Sequence, residues 1–109
     1  MNPADEQLYR LAFLTESVGG SEQKGFSYRG HSLLVVFRCN ASGRASSEPF
    51  VFVQTAKSWH CLFHAADLLS EMDATVEGNE LVLWQLDWKG GNFHRNKFWT
   101  YDLRQLDAA

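Results

Sequence analysis

The sequence has few cysteines and no long apolar run. Cys39 and Cys61 are too few for a disulfide framework or a four-thiolate zinc site, so we expect two packed thiols. A membrane span needs about 18 consecutive apolar residues, and no such run is present. The first residues also lack the basic and apolar segments of a signal peptide. These absences predict a cytoplasmic protein with no membrane association.

Excess positive charge and phosphate-binding motifs are missing as well. The formal net charge is −3 and the pI is near 5.7, which disfavours a general attraction to nucleic acid. Glycine-rich nucleotide-binding motifs are absent, and so is the Gly-x-Ser-x-Gly elbow of many serine hydrolases. We therefore assign no cofactor and no catalytic residue.

What is present is the composition of one folded domain. The 109 residues, 45% hydrophobic and 21% charged, suffice for one core, and we take residues 1–109 as a single domain. A helix is predicted from Pro3 to Ser17. Asn2 can cap it, proline suits its first turn, and apolar residues follow at helical spacing. A flexible polar connector is expected at Gly19–Gly25.

Strands are predicted in the next part of the chain. A short strand near Phe26–Arg29 turns at Gly30 into Ser32–Arg38. The second of these strands carries apolar residues on both faces, which predicts a central position in a sheet. Asn40–Glu48 is predicted to be a long polar loop, and Phe50–Thr55 the following strand.

A second helix is predicted to begin after Thr55 or Ser58 and to continue to about Met72. Its apolar stripe consists of Trp59, Leu62, Phe63, Ala66 and Leu69. A hairpin with Gly78-Asn79 at its turn then leads into the last strands. The predicted fold is α+β, with two helices packed on a mostly antiparallel sheet of about five or six strands.

The polar face of the predicted second helix collects groups that can bind a metal ion. Spacings of four, three and four residues would place them on one stripe: His60, His64, Asp67 and Glu71. A small metal-dependent enzyme using His60 and His64, with Asp67 as a further ligand, is therefore one alternative function. A solvated helix face is the ordinary interpretation of the same pattern, and we assign no metal. Cys61 near the start of this helix is the candidate for a reactive thiol.

The most prominent stretch runs from Trp84 to Tyr101. Large apolar residues alternate in two predicted strands, which should direct one face of each strand into the core. They are Val82, Trp84, Leu86 and Trp88 in the first strand, and Trp99, Tyr101 and Leu103 in the second. The segment between the strands, Lys89–Asn96, is predicted to be a basic loop in which Phe93 has no obvious core partner.

This loop and its flank form the candidate partner-binding site. They combine cations with an aromatic ring, a composition that protein interfaces favour. The site residues are Lys89, Asn92, Phe93, His94, Arg95 and Lys97. Single-stranded nucleic acid would select the same combination, so it is kept as an alternative ligand.

Small size, acidity and the lack of catalytic motifs favour a non-catalytic domain that binds another protein. Toxin-neutralising immunity proteins and inhibitors of bacterial defence have this general character, and they act by blocking a partner. We therefore predict an inhibitor of the immunity or anti-defence type. An escort chaperone for a secreted protein is an alternative suggested by the order of helices and strands. A dimer and a monomer are both compatible with the sequence.

Overall fold

The computed structural model describes residues 2–13, 18–40, 47–55, 58–65 and 71–108. These residues form one α-helix, seven β-strands and a C-terminal 3₁₀ helix. In chain order they are α1 (Pro3–Ala12), β1 (Val18–Tyr28), β2 (His31–Asn40), β3 (Ser47–Thr55), β4 (Ser58–His64), β5 (Glu71–Glu77), β6 (Glu80–Lys89), β7 (Asn92–Asp102) and the 3₁₀ helix (Leu103–Ala108).

Helix α1 begins where the sequence predicts. Asn2 is the capping residue, because its Oδ1 accepts a 2.8 Å hydrogen bond from the backbone N–H of Asp5. Pro3 occupies the first turn, where its missing N–H leaves no hydrogen bond unmade. The start of this helix is therefore specified by local sequence.

The end of α1 and the start of β1 differ from the prediction. The helix ends at Ala12, before the expected end at Ser17, and residues 14–17 lie outside the described part of the chain. The predicted connector Gly19–Gly25 is wrong, because these residues belong to β1. Their polar side chains gave no strand pattern. Backbone pairing with β2 makes them a strand at the edge of the sheet.

The strands form two antiparallel sheets, one in the order β1-β2-β3-β4 and the other in the order β5-β6-β7. Tight two-residue turns connect several neighbouring strands. Gly30 and Gly78 occupy two of these turns with φ of 83° and 63°, values that cost glycine little. Both turns were predicted from the sequence, and both are confirmed.

The main core lies between the two sheets. Its buried side chains come from the first sheet (Tyr28, Leu33, Val35, Phe37, Val51, Val53), the second sheet (Met72, Ala74, Leu81, Leu83) and the 3₁₀ helix (Leu103, Leu106). At one side of this core Phe63 of β4 stacks on Trp99 of β7, with ring centroids 4.7 Å apart. At the other side Lys24 of β1 donates a 2.9 Å hydrogen bond to the carbonyl of Ala74 on β5. We call this arrangement the inter-sheet core.

A smaller cluster lies between α1 and the outer face of the first sheet. Ala12 of the helix is buried with Val36, Phe50 and Phe52 of the sheet. Strand β2 therefore has a covered residue on each face, such as Val35 in the inter-sheet core and Val36 under α1. This confirms the central position predicted for the strand.

The predicted second helix is wrong. Residues Ser58–His64 form strand β4 and Glu71–Glu77 form β5, while residues 66–70 lie outside the described part. The apolar residues of this segment fit both a helix and a strand. Pairing with β3 selects the strand. A bulge at the level of Val51 and Phe52 then allows residues of β4 to pack both on the cluster under α1 and on the inter-sheet core.

The predicted α+β class fits in outline, since a helix packs on antiparallel strands. The described residues contain more strands and fewer α-helices than predicted, and their strands form two sheets instead of one. None of the helices in these residues has the length and apolar character needed to cross a membrane.

Candidate functional site

The candidate site lies on an arm at one end of the second sheet. Strand β5 pairs with β6 only as far as Glu71, which lies opposite Leu86. Beyond this point β6 continues to Lys89 and β7 starts at Asn92, so in the described structure the end of the hairpin has no third strand. We call residues 87–97 the arm, of which residues 87–94 lie beyond the end of β5.

A glycine turn forms the tip of the arm. Gly90 and Gly91 have φ of 58° and 80°, and Lys89 pairs with Asn92 across them. Two consecutive residues in the left-handed region give a turn that matches the twist of a hairpin. The predicted loop Lys89–Asn96 is therefore wrong in its length, because the polar residues after Gly91 pair with β6 and extend β7.

The arm carries positive charge in a chain that is acidic. Residues 87–97 hold three of the ten Lys and Arg residues and one of the thirteen acidic residues, Asp87. Four consecutive residues of β7 are exposed, from His94 to Lys97. The arm therefore presents cations to solvent while the rest of the chain has an excess of acidic groups.

Trp84 lies at the root of the arm, on the outer face of the second sheet. Its indole Nε1–H donates a 2.8 Å hydrogen bond to Oγ1 of Thr75 on β5. The guanidinium carbon of Arg95 is 4.0 Å from the ring centroid, and Nζ of Lys97 is 5.8 Å from it. Both distances are within the range of a cation–π interaction. Trp84 is only 7% exposed, and two of the groups over its ring are these cations.

A bulge in the hairpin places Trp84 and Trp99 on opposite faces. Leu83 pairs with Trp99 and the next residue, Trp84, pairs with Lys97, so that Phe98 has no partner in the register. Trp99 packs on the inter-sheet core and Trp84 on the outer face. Trp84 is buried, as predicted. It is covered by side chains of its own sheet, however, and does not lie in the inter-sheet core.

All six predicted site residues lie on the arm. Their backbone positions are set by β6 for Lys89 and by β7 for the others: Asn92, Phe93, His94, Arg95 and Lys97. Asn92 and His94 are exposed together with the two cations near Trp84. The side chains of Lys89 and Phe93, and that of Trp88, lie outside the described part of the structure.

The predicted metal-binding stripe depends on a helix that the structure does not contain. His60 and His64 are four residues apart in strand β4, which separates their backbones by about 13 Å at the rise of a strand. His60 Nδ1 lies 3.6 Å from Asp5 of α1. Asp67 lies outside the described residues. Among those described, no group of three or more His, Cys, Asp or Glu is placed to hold a metal ion.

His64 instead belongs to a charged cluster that the sequence did not reveal. Its Nε2 is 2.6 Å from one carboxylate oxygen of Glu48, and the other oxygen accepts a 2.8 Å hydrogen bond from Arg38. The Arg38 and Glu48 side chains are each 12% exposed, and the His64 ring stacks on Phe50. Because both carboxylate oxygens of Glu48 are already in contact with protein groups, we interpret the cluster as a structural ion network and not as a site in which Glu48 is a general base.

Only the pairing of the strands brings this cluster together. Arg38 lies opposite Glu48 in the β2–β3 register, and Phe50 lies opposite His64 in the β3–β4 register. Charged residues in a predicted loop and a predicted helix gave no sign of this proximity. A correct strand assignment for residues 58–64 would have been the signal.

Cys61 is the candidate reactive thiol, and its surroundings oppose that role. Burial raises the pKa of the Cys61 thiol above its ordinary value, and the nearby Asp5 carboxylate makes a smaller contribution in the same direction. The thiol donates a 3.4 Å hydrogen bond to the Phe63 carbonyl. A raised pKa keeps the thiol protonated at neutral pH, whereas the nucleophile is the thiolate. The predicted helix end beside Cys61 is also absent. The side chain of Cys39 lies outside the described part.

Comparison with known proteins gives no further assignment. No known protein family matches this chain, and neither the curated proteins nor the solved structures include a significant match. Function must therefore be inferred from the chemistry and geometry of the chain's own residues.

Proposed function

We propose that this chain is a non-catalytic cytoplasmic domain that binds another protein and blocks it, in the manner of an inhibitor or immunity protein. The observation that carries the proposal is the arm. It continues beyond β5, its exposed strand is basic, and the pairing of β6 with β7 holds it in an extended form. A preformed extended surface loses little conformational entropy when it binds.

The charge of the arm indicates the character of the partner surface. Arg95 and Lys97 would meet acidic groups on the partner, and complementary charge increases both specificity and the rate of association. Specific complexes typically bury about 1,200 to 2,000 Å² in total. The arm is well suited to enter a groove, because both of its strands and its tip can then be covered.

The environment of Trp84 favours a protein partner over single-stranded nucleic acid. Binding of single strands uses aromatic rings on which bases can stack. The Trp84 ring is nearly buried, and Arg95 lies over it at 4.0 Å. A base would have to displace the guanidinium from this ring, whereas a carboxylate can bind the guanidinium where it already stands.

A capture experiment with matched variants tests the proposal. Tagged protein is incubated with lysate of the source organism, together with an arm variant (Arg95→Gln with Lys97→Gln) and a control variant (Arg10→Gln on α1). We expect one lysate protein to bind both the unsubstituted chain and the control variant, and to be lost from the arm variant. The isolated partner should lose its own activity when equimolar chain is added.

Two results would count against the proposal. If the arm variant retains the same partner as the control, the arm is not the binding surface. If the isolated partner keeps full activity when bound, the chain is an escort or an adaptor and not an inhibitor. Circular dichroism of each variant shows that a loss of capture does not arise from unfolding.

A further inference from the structure

We infer that the arm binds its partner by strand addition: an extended acidic segment of the partner pairs with the free edge of β7, next to Arg95 and Lys97. This inference rests on the proposed function, because it specifies how the same surface recognises the partner. It also specifies a pattern for the partner segment, in which acidic side chains occupy alternate positions.

The edge of β7 offers backbone groups for such pairing. It is the outermost strand of the second sheet, and within the described residues its only strand partner is β6. Among these residues, the segment from Asn92 to Lys97 makes no backbone hydrogen bond outside that pair. An edge strand with unpaired N–H and C=O groups is a template for another strand.

Elsewhere, side-chain contacts connect the edges of the two sheets to each other. Lys24 on the edge strand β1 reaches across to β5, where its Nζ is 2.9 Å from the Ala74 carbonyl and 2.7 Å from Asp73. At the β4 side, Phe63 packs on Phe98 and Trp99, which lie after the arm in β7. None of these contacts between the sheets involves the arm segment of β7, residues 92–97.

The side chains on this edge select an acidic strand. Arg95 and Lys97 lie on the same face of β7, because they pair with Leu86 and Trp84 on the outer face of the sheet. A strand added beside β7 would place alternate residues next to these two cations. Opposite charges at such neighbouring positions are favourable, and like charges are unfavourable.

Trp84 orients the Arg95 guanidinium for contact with an acidic side chain of the added strand. Its ring lies under the guanidinium and is itself fixed by the hydrogen bond to Thr75. A guanidinium that is already oriented loses less side-chain entropy when it binds a carboxylate. Lys97 contacts Glu80 at 3.3 Å, and both side chains are about half exposed, so this pair can open at little cost.

The same features disfavour a second copy of this chain as the added strand. Two arms side by side would bring their cations together, and charged edges of this kind are a known protection against association of identical sheets. The unpaired Phe98 interrupts the edge on the other side of Lys97. The available edge is thus short and suits a single partner strand.

Designed peptides test the inference on the intact protein. The probe is an acetylated and amidated peptide of about six residues, a typical strand length, in which Glu alternates with Thr. A first control has the same composition with all Glu residues before all Thr residues. A second control is the alternating peptide with N-methylated backbone amides, which cannot donate hydrogen bonds to β7. Dissociation constants and the hydrogen exchange of residues 92–97 are measured for each.

We expect the alternating peptide to bind about tenfold more tightly than either control, and to slow amide exchange in β7 alone. The Arg95→Gln and Lys97→Gln variant should lose this preference, and the Arg10→Gln variant should keep it. Equal affinity for the two peptides of identical composition would overturn strand addition, because charge alone would then account for binding. Absence of binding, or protection of β1 or β4 instead, would overturn it as well.

These outcomes are separable from those of the capture experiment. If the arm variant loses the natural partner but the peptides show no preference for alternation, the arm binds its partner through another geometry. If capture is unaffected by the arm variant, the arm is not the binding surface, and the proposed function loses the observation that carries it, whatever the peptides do.

Discussion

The inter-sheet core and the arm are built from one hairpin, β6–β7, but different interactions hold them in place. In the core half, Leu81 and Leu83 are fully buried against the first sheet. In the arm half, the strands are held by pairing with each other and by a glycine turn, and the side chains from His94 to Lys97 are exposed. Packing therefore restricts the side chains of the core half, while the side chains from His94 to Lys97 are not restricted by burial.

The largest effect is expected in the core half. Leu83→Ala removes a fully buried side chain between the sheets and should cost about 2 to 5 kcal/mol of unfolding free energy. Urea denaturation measures this loss. Leu86→Ala, on the same strand but only partly buried near the arm, is the matched control and should cost clearly less. Equal losses at both sites would contradict the distinction between the two halves.

The Arg38–Glu48–His64 cluster should rank second. Glu48→Gln keeps the shape of the side chain but removes the charge that Arg38 and His64 contact, and both flanking groups are poorly hydrated. We expect a loss of about 2 to 4 kcal/mol, near the range seen when a buried ion pair loses one partner. The exposed Glu71 supplies the control, since Glu71→Gln should change stability by less than about 0.5 kcal/mol. If the Glu48→Gln variant and the unsubstituted protein had the same urea midpoint, the cluster would not contribute to stability.

Trp84 stands between the two regions, and its replacement should have an intermediate effect. Trp84→Phe keeps an aromatic ring but removes the hydrogen bond to Thr75 and weakens the contact with Arg95. A cost of about 1 to 2 kcal/mol is expected by urea denaturation. A loss as large as that of Leu83→Ala would mean that Trp84 acts as a core residue and not as a support for the arm.

The arm itself should tolerate substitution with the smallest change in stability. Arg95→Gln and Lys97→Gln together remove one close cation–π contact and one exposed ion pair, worth less than about 1.5 kcal/mol in total. The thermal midpoint should therefore fall only slightly while partner binding is lost. If the double variant unfolds at ordinary temperature, the arm is structural and the binding-site assignment is wrong.

The parts of the fold that were predicted correctly depend on local chemistry. The cap at Asn2 and the turns at Gly30 and Gly78 are specified by residues within a few positions of one another. The double-faced apolar pattern of β2 likewise identified a central strand. The wrong predictions lie where local signals are ambiguous or absent. The apolar residues of 58–64 fit both the helical and the strand repeat, and the polar strand β1 has no hydrophobic repeat.

The candidate site shows the same division. The sequence identified the basic and aromatic character of residues 89–97 and placed them between two strands. It could not show that only Gly90 and Gly91 turn, or that Arg95 lies over Trp84, because both depend on the register of β6 with β7. It also missed the cluster of Arg38, Glu48 and His64, which the pairing of the three strands β2, β3 and β4 brings together.

By itself the sequence determined the start of the helix, several turns, the central strand and the charge of the arm. Each of these follows from the conformational preference or hydrophobicity of neighbouring residues. Tertiary structure alone decided that residues 58–64 are a strand, that the strands divide into two sheets, and that Trp84 faces outward. The physical reason is that strands gain their stability from distant partners, and a single bulge in the pairing reverses which face is buried.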